Sequence, residues 1–565
     1  MGIAMIGPAK GEELTLTNTD PNATVAIFFD GTDNNMYNTD EGQKYNKIKN
    51  ESLTQSSLQE DVEELEDKVR MLFGDSYEND YSNVARLFKN YRDDKYPNHY
   101  RIYIDGIGTL RFHGDDIIDG TGLGSGKHGI KERAKDACKE IVNTLAPKNS
   151  KTKIVDVLTI DVFGFSRGAA AARHFVYEIT SSYVDKKPAQ IPAFGSTPAI
   201  GTQQIKYDAI NPSQQSIGLK NYGYLSECCG TRLIINKIVI RFAGLFDTVA
   251  SYSEKIIWNT FTQTDPKDAP KPFTDDVKEL NLNVIENKAL RIVHLTSGDE
   301  HRANFPLTNI KTAKANGRGI ELVFPGVHSD VGGSYQDKAD EEMERLMQIS
   351  IKEGSSEEIA EASKKLNTIK DMLIQQGWYQ ADELHIHKKL GGDNLFYYQR
   401  CLHAKRKALR NTYSFIPLHI MCKFAVEYDK KNPLPFDLDD LERKSYPVSN
   451  DPLLVRIKDR LVKYAFQNGD PIELISTQRR EIVEDEPTPT NSSIQYSLQD
   501  KTFVQQQALS PLELLPQGDD GDLLSLRRSY LHWSANFDRA KLRVIPNYPR
   551  IIDNDGNTQR LILEG

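Results

Sequence analysis

Cysteine is scarce in this chain. There are five in 565 residues, with Cys228 and Cys229 adjacent. That excludes a disulfide-stapled scaffold and fits folding in a reducing cytosol. Long apolar runs are missing as well. Hydrophobic residues make up 38%, mean hydropathy is −0.54, and no stretch reaches the roughly 18 apolar residues of a membrane-spanning helix. Positive charge is in deficit: 71 Lys and Arg face 80 Asp and Glu, a formal charge of −9. The chain therefore lacks the basic balance of a nucleic-acid binder and of a polybasic lipid-binding segment. HExxH, paired CxxC and EF-hand signatures do not occur, so no metal and no cofactor is expected. The opening MGIAMIGPAKGEE has no basic n-region and too short an apolar stretch for a secretory leader. Ile6 stands where myristoylation needs Ser or Thr.

What is present is an alternation of strand-like and helix-like text. Thr24–Phe29, Tyr100–Ile104, Lys153–Phe165, Ile235–Phe242, Ala289–Leu295 and residues 321–326 read as strands, and the run KIVDVLTIDVFGF suits a strand covered on both faces. Helices are predicted over Lys131–Thr144, over GAAAARHFVYEI, and around Leu58–Phe73 within a polar insertion. Asp337–Gln376 and Phe396–Tyr428 also read as helical. In the first of these, Ala362, Leu366, Ile369 and Leu373 fit one amphipathic stripe packed on the chain's own core. Strand–helix alternation predicts an α/β sheet domain over residues 24–345, after an N-terminal tail at 1–23. A helical region at 346–470, a linker or loop at 471–529 and an ordered segment at 530–565 follow.

The most informative residues are Gly164-Phe165-Ser166-Arg167-Gly168, a G-x-S-x-G between a predicted strand and a predicted helix. A sharp strand-to-helix turn lifts the serine hydroxyl above the sheet; the plainer reading is a serine capping the helix. A serine nucleophile needs a base oriented by a third group, and in an α/β-hydrolase these follow in the order acid, then His. Asp247 lies just past a strand, where a helix N-cap is an equally good account. His328 occupies a glycine-rich loop after ELVFPG and is the preferred base, with His301 second. Asp330 is the rival acid, or a group fixing the same loop. His294 reads as a core histidine, His403 and His419 as structural residues in helices, and His385 and His387 as lacking a further ligand nearby. Backbone N–H groups for an oxyanion come from Arg167 and from the early loop Asp30-Gly31-Thr32, for which an ordinary Asp-Gly turn is the alternative.

Other signals are discounted. Gly124, Gly126 and Gly129 match G-x-G-x-x-G but no strand leads into them, and His128 follows Lys127 where a P-loop needs Ser or Thr. Asp115-Asp116 and Asp519-Asp520 read as solvated charge rather than Ca²⁺ ligands.

FFDGTDNN at 28–35, SNVARLF at 82–88, DGIGT at 105–109, GFSRGAAAAR at 164–173, GLFDTVAS at 244–251 and FPGVHSDVGGSY at 324–335 together resemble one family. It is the first class of type VI secretion lipase effectors, with an α/β-hydrolase catalytic domain. The resemblance spans about residues 24–345 and extends weakly to RNTYSFIPLHIMCKFAVE. It implies a mostly parallel sheet and a phospholipase A acting on membrane glycerophospholipids of rival bacteria. It also implies a triad of Ser166, Asp247 and His328, which decides for Asp247. It further implies delivery by a type VI spike protein, a cognate immunity protein, synthesis in the cytoplasm without a signal peptide, and action in the target periplasm. A soluble carboxylesterase of the same fold and a non-enzymatic adaptor of the secretion apparatus are the alternatives. The resemblance assigns no role to residues 440–565.

Overall fold

The computed structural model describes residues 22–53, 75–116, 124–146, 152–181, 222–252, 276–302, 304–352, 356–390, 397–467, 469, 471–472, 480–481, 520–535 and 560–564. The helix predicted around Leu58–Phe73, most of the tail at 1–23, Asp519 and most of the linker lie outside these residues.

The strands of the first half are β1 (Ala23–Phe29), β2 (His99–Ile104), β3 (Lys153–Phe165), β4 (Leu233–Phe246), β5 (Ala289–Ser297), the two-residue β6 (Leu307–Thr308) and β7 (Gly319–Phe324). All but β6 form one parallel sheet in the order β2-β1-β3-β4-β5-β7. Their text is apolar on both sides because both faces are covered. On β1, Val25, Ile27 and Phe29 enter one core, while Ala26 and Phe28 enter the other.

The helices of this half are α1 (Met36–Leu53), α2 (Asn83–Asn90), α3 (Ile130–Leu145) and α4 (Arg167–Thr180). Ala134, Ile141, Ala169 and Val176 of α3 and α4 pack in the Val25 core. Val84 and Leu87 of α2 pack in the Phe28 core. Ser82 accepts a hydrogen bond from Ala85 N and so caps α2, which accounts for the serine of SNVARLF.

The sheet order places the site. From β1 the chain crosses to β2 on one side, then to β3 on the other. The carboxyl ends of β1 and β3 therefore flank the point where strand order reverses, and open α/β sheets form their crevices there. This is an α/β-hydrolase-like architecture.

Beyond residue 338 come β8 (Ala339–Lys352), β9 (Leu384–Leu390) and β10 (Tyr397–Leu409), an antiparallel sheet in the order β8-β10-β9. The helices here are α5 (Ser356–Gln375), α6 (Phe415–Glu427), α7 (Pro452–Phe466) and α8 (Gly521–Ser529). Residues 339–352 and 397–409 correct the helical reading of their text. Leu346 and Ile351 are buried and Met343, Met347 and Ile349 partly so, while Glu341 is buried in an ion pair with Arg406. Charges at inward positions broke the alternation that marks a strand, and Glu, Met and Leu favour helix.

The stripe on α5 is inward as expected. Ala362, Leu366 and Leu373 are buried and Ile369 is partly so. Residues 521–529 of the predicted linker form a helix, and Asp520, read as solvated charge, caps it through Leu523 N and pairs with Arg460 at 2.7 Å. Asp115 likewise accepts from Ser76 Oγ at 2.8 Å. A third small sheet, β11 (Arg480–Glu481) with β12 (Leu561–Leu563) and β6, brings the end of the chain against the loop between β5 and β7.

Candidate active site

The elbow after β3 is a strained point of the sheet's carboxyl edge. Ser166 has φ 58 and ψ −130 and stands at the N-cap position of α4, yet its side chain makes no capping bond. That removes the helix-cap reading: the backbone is held in a region that disfavours side chains without any capping gain. Gly168 permits the turn, since a Cβ there would lie 2.2 Å from Asp30 O. Ser166 N donates to Phe246 O and Asp247 N to Leu295 O, so the ends of β3, β4 and β5 are stitched together at the site.

Phe165 links the Ser166 turn to the histidine loop. Its ring packs on the His328 imidazole, with centroids 4.6 Å apart. Glycines grip it from two sides: a Cβ on Gly31 would lie 2.6 Å from Phe165 Cδ1, and one on Gly332 would lie 1.9 Å from Phe165 Cε2. Gly332→Ala is therefore expected to force the ring aside. It should destabilise the protein by roughly 1–3 kcal/mol, read as a lowered Tm, with activity falling as His328 shifts.

His328 opens a one-turn helix, His328–Gly332. Its Nδ1–H donates to Asp247 Oδ2 at 2.6 Å, and its backbone N–H donates to Glu300 Oε2. Nε2 is buried and has no hydrogen-bond partner among the described residues. The loop is held from below by Asn83, whose Nδ2 donates to Val331 O at 2.8 Å and to Ser414 O at 2.9 Å.

Burial lowers the His328 pKa below its ordinary 6.5, against the opposing pull of Asp247. The neutral imidazole, the form that accepts a proton, thus persists to lower pH than in a free histidine. The acid limb of kcat/KM against pH is expected below 6.5, and a limb above 7 would contradict this assignment.

Asp247 is fully buried and surrounded by donors. Ser297 N and Ser297 Oγ donate to its two oxygens at 2.9 Å each. Arg560 grips it with both ends of its fork, Nη1 to Oδ1 at 2.6 Å and Nη2 to Oδ2 at 2.8 Å. Burial opposes ionisation, but Arg560 and His328 outweigh it and hold the carboxyl well below the ordinary range. Sequence reasoning missed Arg560, which lies 313 residues away in chain order, and no local motif marks it.

The rival residues are engaged elsewhere. Asp330 accepts from Val327 N, from His532 N at 3.0 Å and from His532 Nδ1 at 2.7 Å, so it ties the histidine loop to the chain's later part. His301 stacks on Trp533 with centroids 3.8 Å apart. His294 is buried, accepts from Thr248 N and faces Glu321 at 3.1 Å, a satisfied core histidine. His403, read as helical, lies on β10 beside Glu342.

For the oxyanion, Gly31 needs a correction. Its N–H donates to Asp30 Oδ1 at 2.8 Å, so that proton is directed at its own neighbour. Thr32 N–H has no partner among the described residues, and Arg167 is the first residue of α4, where helix N–H groups lack intrahelical acceptors. Arg167 Nε donates to Thr32 Oγ1 at 2.8 Å, joining the two segments.

The family model described as "T6SS, Phospholipase effector Tle1-like, catalytic domain" matches residues 24–353. The chain belongs to this family. Among solved structures, the Tle1 effector bound to the VgrG spike from the type 6 secretion system is 19% identical, with 96% of this chain and 94% of that one covered and a TM-score of 0.49. An uncharacterized protein from Pseudomonas aeruginosa is 18% identical, with 80% and 51% covered and a TM-score of 0.32. No curated protein matches. The Tle1-like catalytic region thus runs from β1 to the end of β8 and contains Ser166, Asp247 and His328. Arg560 and His532, which contact Asp247 and Asp330, fall outside it. Among the described residues no group of His, Cys, Asp or Glu is arranged to hold a metal, and no helix is long and apolar enough to cross a membrane.

Proposed function

We propose that this Tle1-like phospholipase effector is a phospholipase A that cleaves acyl esters of glycerophospholipids with a Ser166–His328–Asp247 triad. The observation that carries the reading is the state of His328. One ring nitrogen is pinned by Asp247, while the other is buried without a partner among the described residues and aimed away from it. A buried polar atom left unpaired in a strained, closely packed site is what a proton acceptor requires.

His328 Nε2 takes the Ser166 proton, and Oγ attacks the acyl carbonyl carbon. The N–H groups of Arg167 and Thr32 hold the oxyanion. The tetrahedral centre collapses as His328 returns the proton to the glyceryl oxygen, and lysophospholipid leaves. Water, deprotonated by His328, then attacks the acyl-serine, and the fatty acid leaves as His328 returns that proton to Ser166 Oγ. Asp247 holds the imidazole in the tautomer with Nε2 unprotonated and stabilises the imidazolium.

Family membership supports the wider setting: delivery by a type VI spike, action on a rival's membrane from its periplasm, and neutralisation by an immunity protein. The test is product analysis by mass spectrometry, using vesicles of a phosphatidylethanolamine with different acyl chains at sn-1 and sn-2. One free fatty acid and the complementary lysophospholipid are expected, with monomeric short-chain esters turned over far less efficiently. Equal efficiency on both substrates would point to a soluble carboxylesterase, and no turnover of either to an adaptor.

A further inference from the structure

Three carboxylates at the carboxyl edge of the main sheet are each met by a basic residue from the last 39 positions of the chain. Arg527 pairs with Asp299 at 2.9 Å, His532 with Asp330 at 2.7 Å and Arg560 with Asp247. The third contact falls on the acid of the proposed triad. Arg560 immediately precedes β12, which is seated by pairing with β6 and by Asn309 N donating to Leu563 O. Its guanidinium also donates through Nε to Phe305 O at 2.9 Å and through Nη1 to Ser297 O and Oγ. It is 2% exposed. Every contact of the fork therefore fixes both its plane and the plane of the carboxylate it holds.

Resting on the triad reading above, we propose that Arg560 is a positioning residue. Carried into the site by the C-terminal strand, it fixes the Asp247 carboxylate and sets the pH at which His328 becomes a base. The electrostatics follow from a shared atom. Asp247 Oδ2 receives both His328 Nδ1 at 2.6 Å and Arg560 Nη2 at 2.8 Å, so a permanent cation sits close to the imidazole and opposes its protonation. The other charged groups facing His328 are Glu300, bonded to its backbone N–H, and Arg302, which pairs with Glu300 at 2.9 Å; Arg302 opposes the imidazolium and Glu300 favours it. Phe165 and Phe305 pack against the ring.

Without Arg560 two changes act in the same direction. The imidazolium loses an opposing charge, and the buried Asp247 loses the partner that keeps it ionised. Both move the loss of activity to higher pH.

The experiment is the pH profile of kcat/KM on phospholipid vesicles for wild type, Arg560→Gln, Arg560→Lys and Ser166→Ala, with folding checked by circular dichroism. Arg560→Gln is expected to raise the acid limb by about one unit and to cut the plateau kcat roughly 10–100-fold through a looser carboxylate. Arg560→Lys keeps the charge and loses the fork, so its limb stays while its plateau falls. A limb that stays in the Gln variant, or that moves in the Lys variant, overturns the proposal. If the Gln variant does not fold, the Lys variant decides alone: an unmoved limb with a reduced plateau supports the role, and any other result removes it. Ser166→Ala separates the two readings. Activity surviving there removes the triad, whereas activity lost there with an unmoved Arg560→Gln limb removes only the role of Arg560.

Discussion

Replacing Ser166 with alanine is expected to cut fatty-acid release by about 10⁵–10⁶-fold in kcat while leaving the protein folded. The size of the effect follows from its place in the sequence of steps, since no acyl-enzyme forms without Oγ and the remaining donors act on a far less reactive water. Little structural cost accompanies it. The Ser166 side chain caps no helix N–H, and alanine retains the Cβ whose position the elbow already tolerates. A second substitution isolates the strain. Ser166→Gly should be equally inactive but more stable than Ser166→Ala by about 1 kcal/mol, because glycine adopts the positive φ of 58 without steric conflict. Release of fatty acid by the alanine variant at the wild-type rate would remove the serine mechanism. Equal Tm values for the two variants would remove the strain account.

Much of the catalytic half is legible in the sequence. The strand Lys153–Phe165 was marked by apolar residues serving both faces of a covered sheet, and its bounds are those of β3. The nucleophile turn and the histidine loop were marked by glycines, which the structure explains by close approach to Asp30 and to the Phe165 ring. What escaped reading did so for two physical reasons. In β8 and β10, inward-facing positions hold a buried ion pair, Glu341 with Arg406, also bonded to the carbonyls of Trp378, Arg527 and Leu531. Tertiary partners there override a local pattern of charge and helix propensity. At Arg560 nothing local exists to override. A lone arginine before a short strand acquires meaning only from a carboxylate 313 residues earlier. Gly31 illustrates a finer limit: the Asp30-Gly31 turn is legible, but the direction of its N–H, toward Asp30 Oδ1, is not.

Asp247→Asn is expected to fail on two counts that can be measured apart. The rate should fall about 10⁴-fold, because an amide offers His328 an N–H donor as readily as an acceptor and the imidazole loses its fixed tautomer and the charge that stabilises its cation. Stability should fall by roughly 3–5 kcal/mol, because the substitution leaves the Arg560 guanidinium buried without a counterion. A triad acid that serves only one histidine would give the first loss without the second. Adding Arg560→Gln to Asp247→Asn removes the stranded charge, and the double variant should regain most of the lost Tm while remaining as slow as Asp247→Asn. That recovery is the signature of a coupled pair, in which the energy of the double substitution is less than the two single costs together. If Asp247→Asn unfolded at the wild-type temperature, the buried fork would not be a closed ion pair in solution. If the double variant stayed as unstable as Asp247→Asn, the loss would lie in the Ser297 and His328 hydrogen bonds instead, since those contacts to Asp247 are the ones the second substitution leaves unrestored.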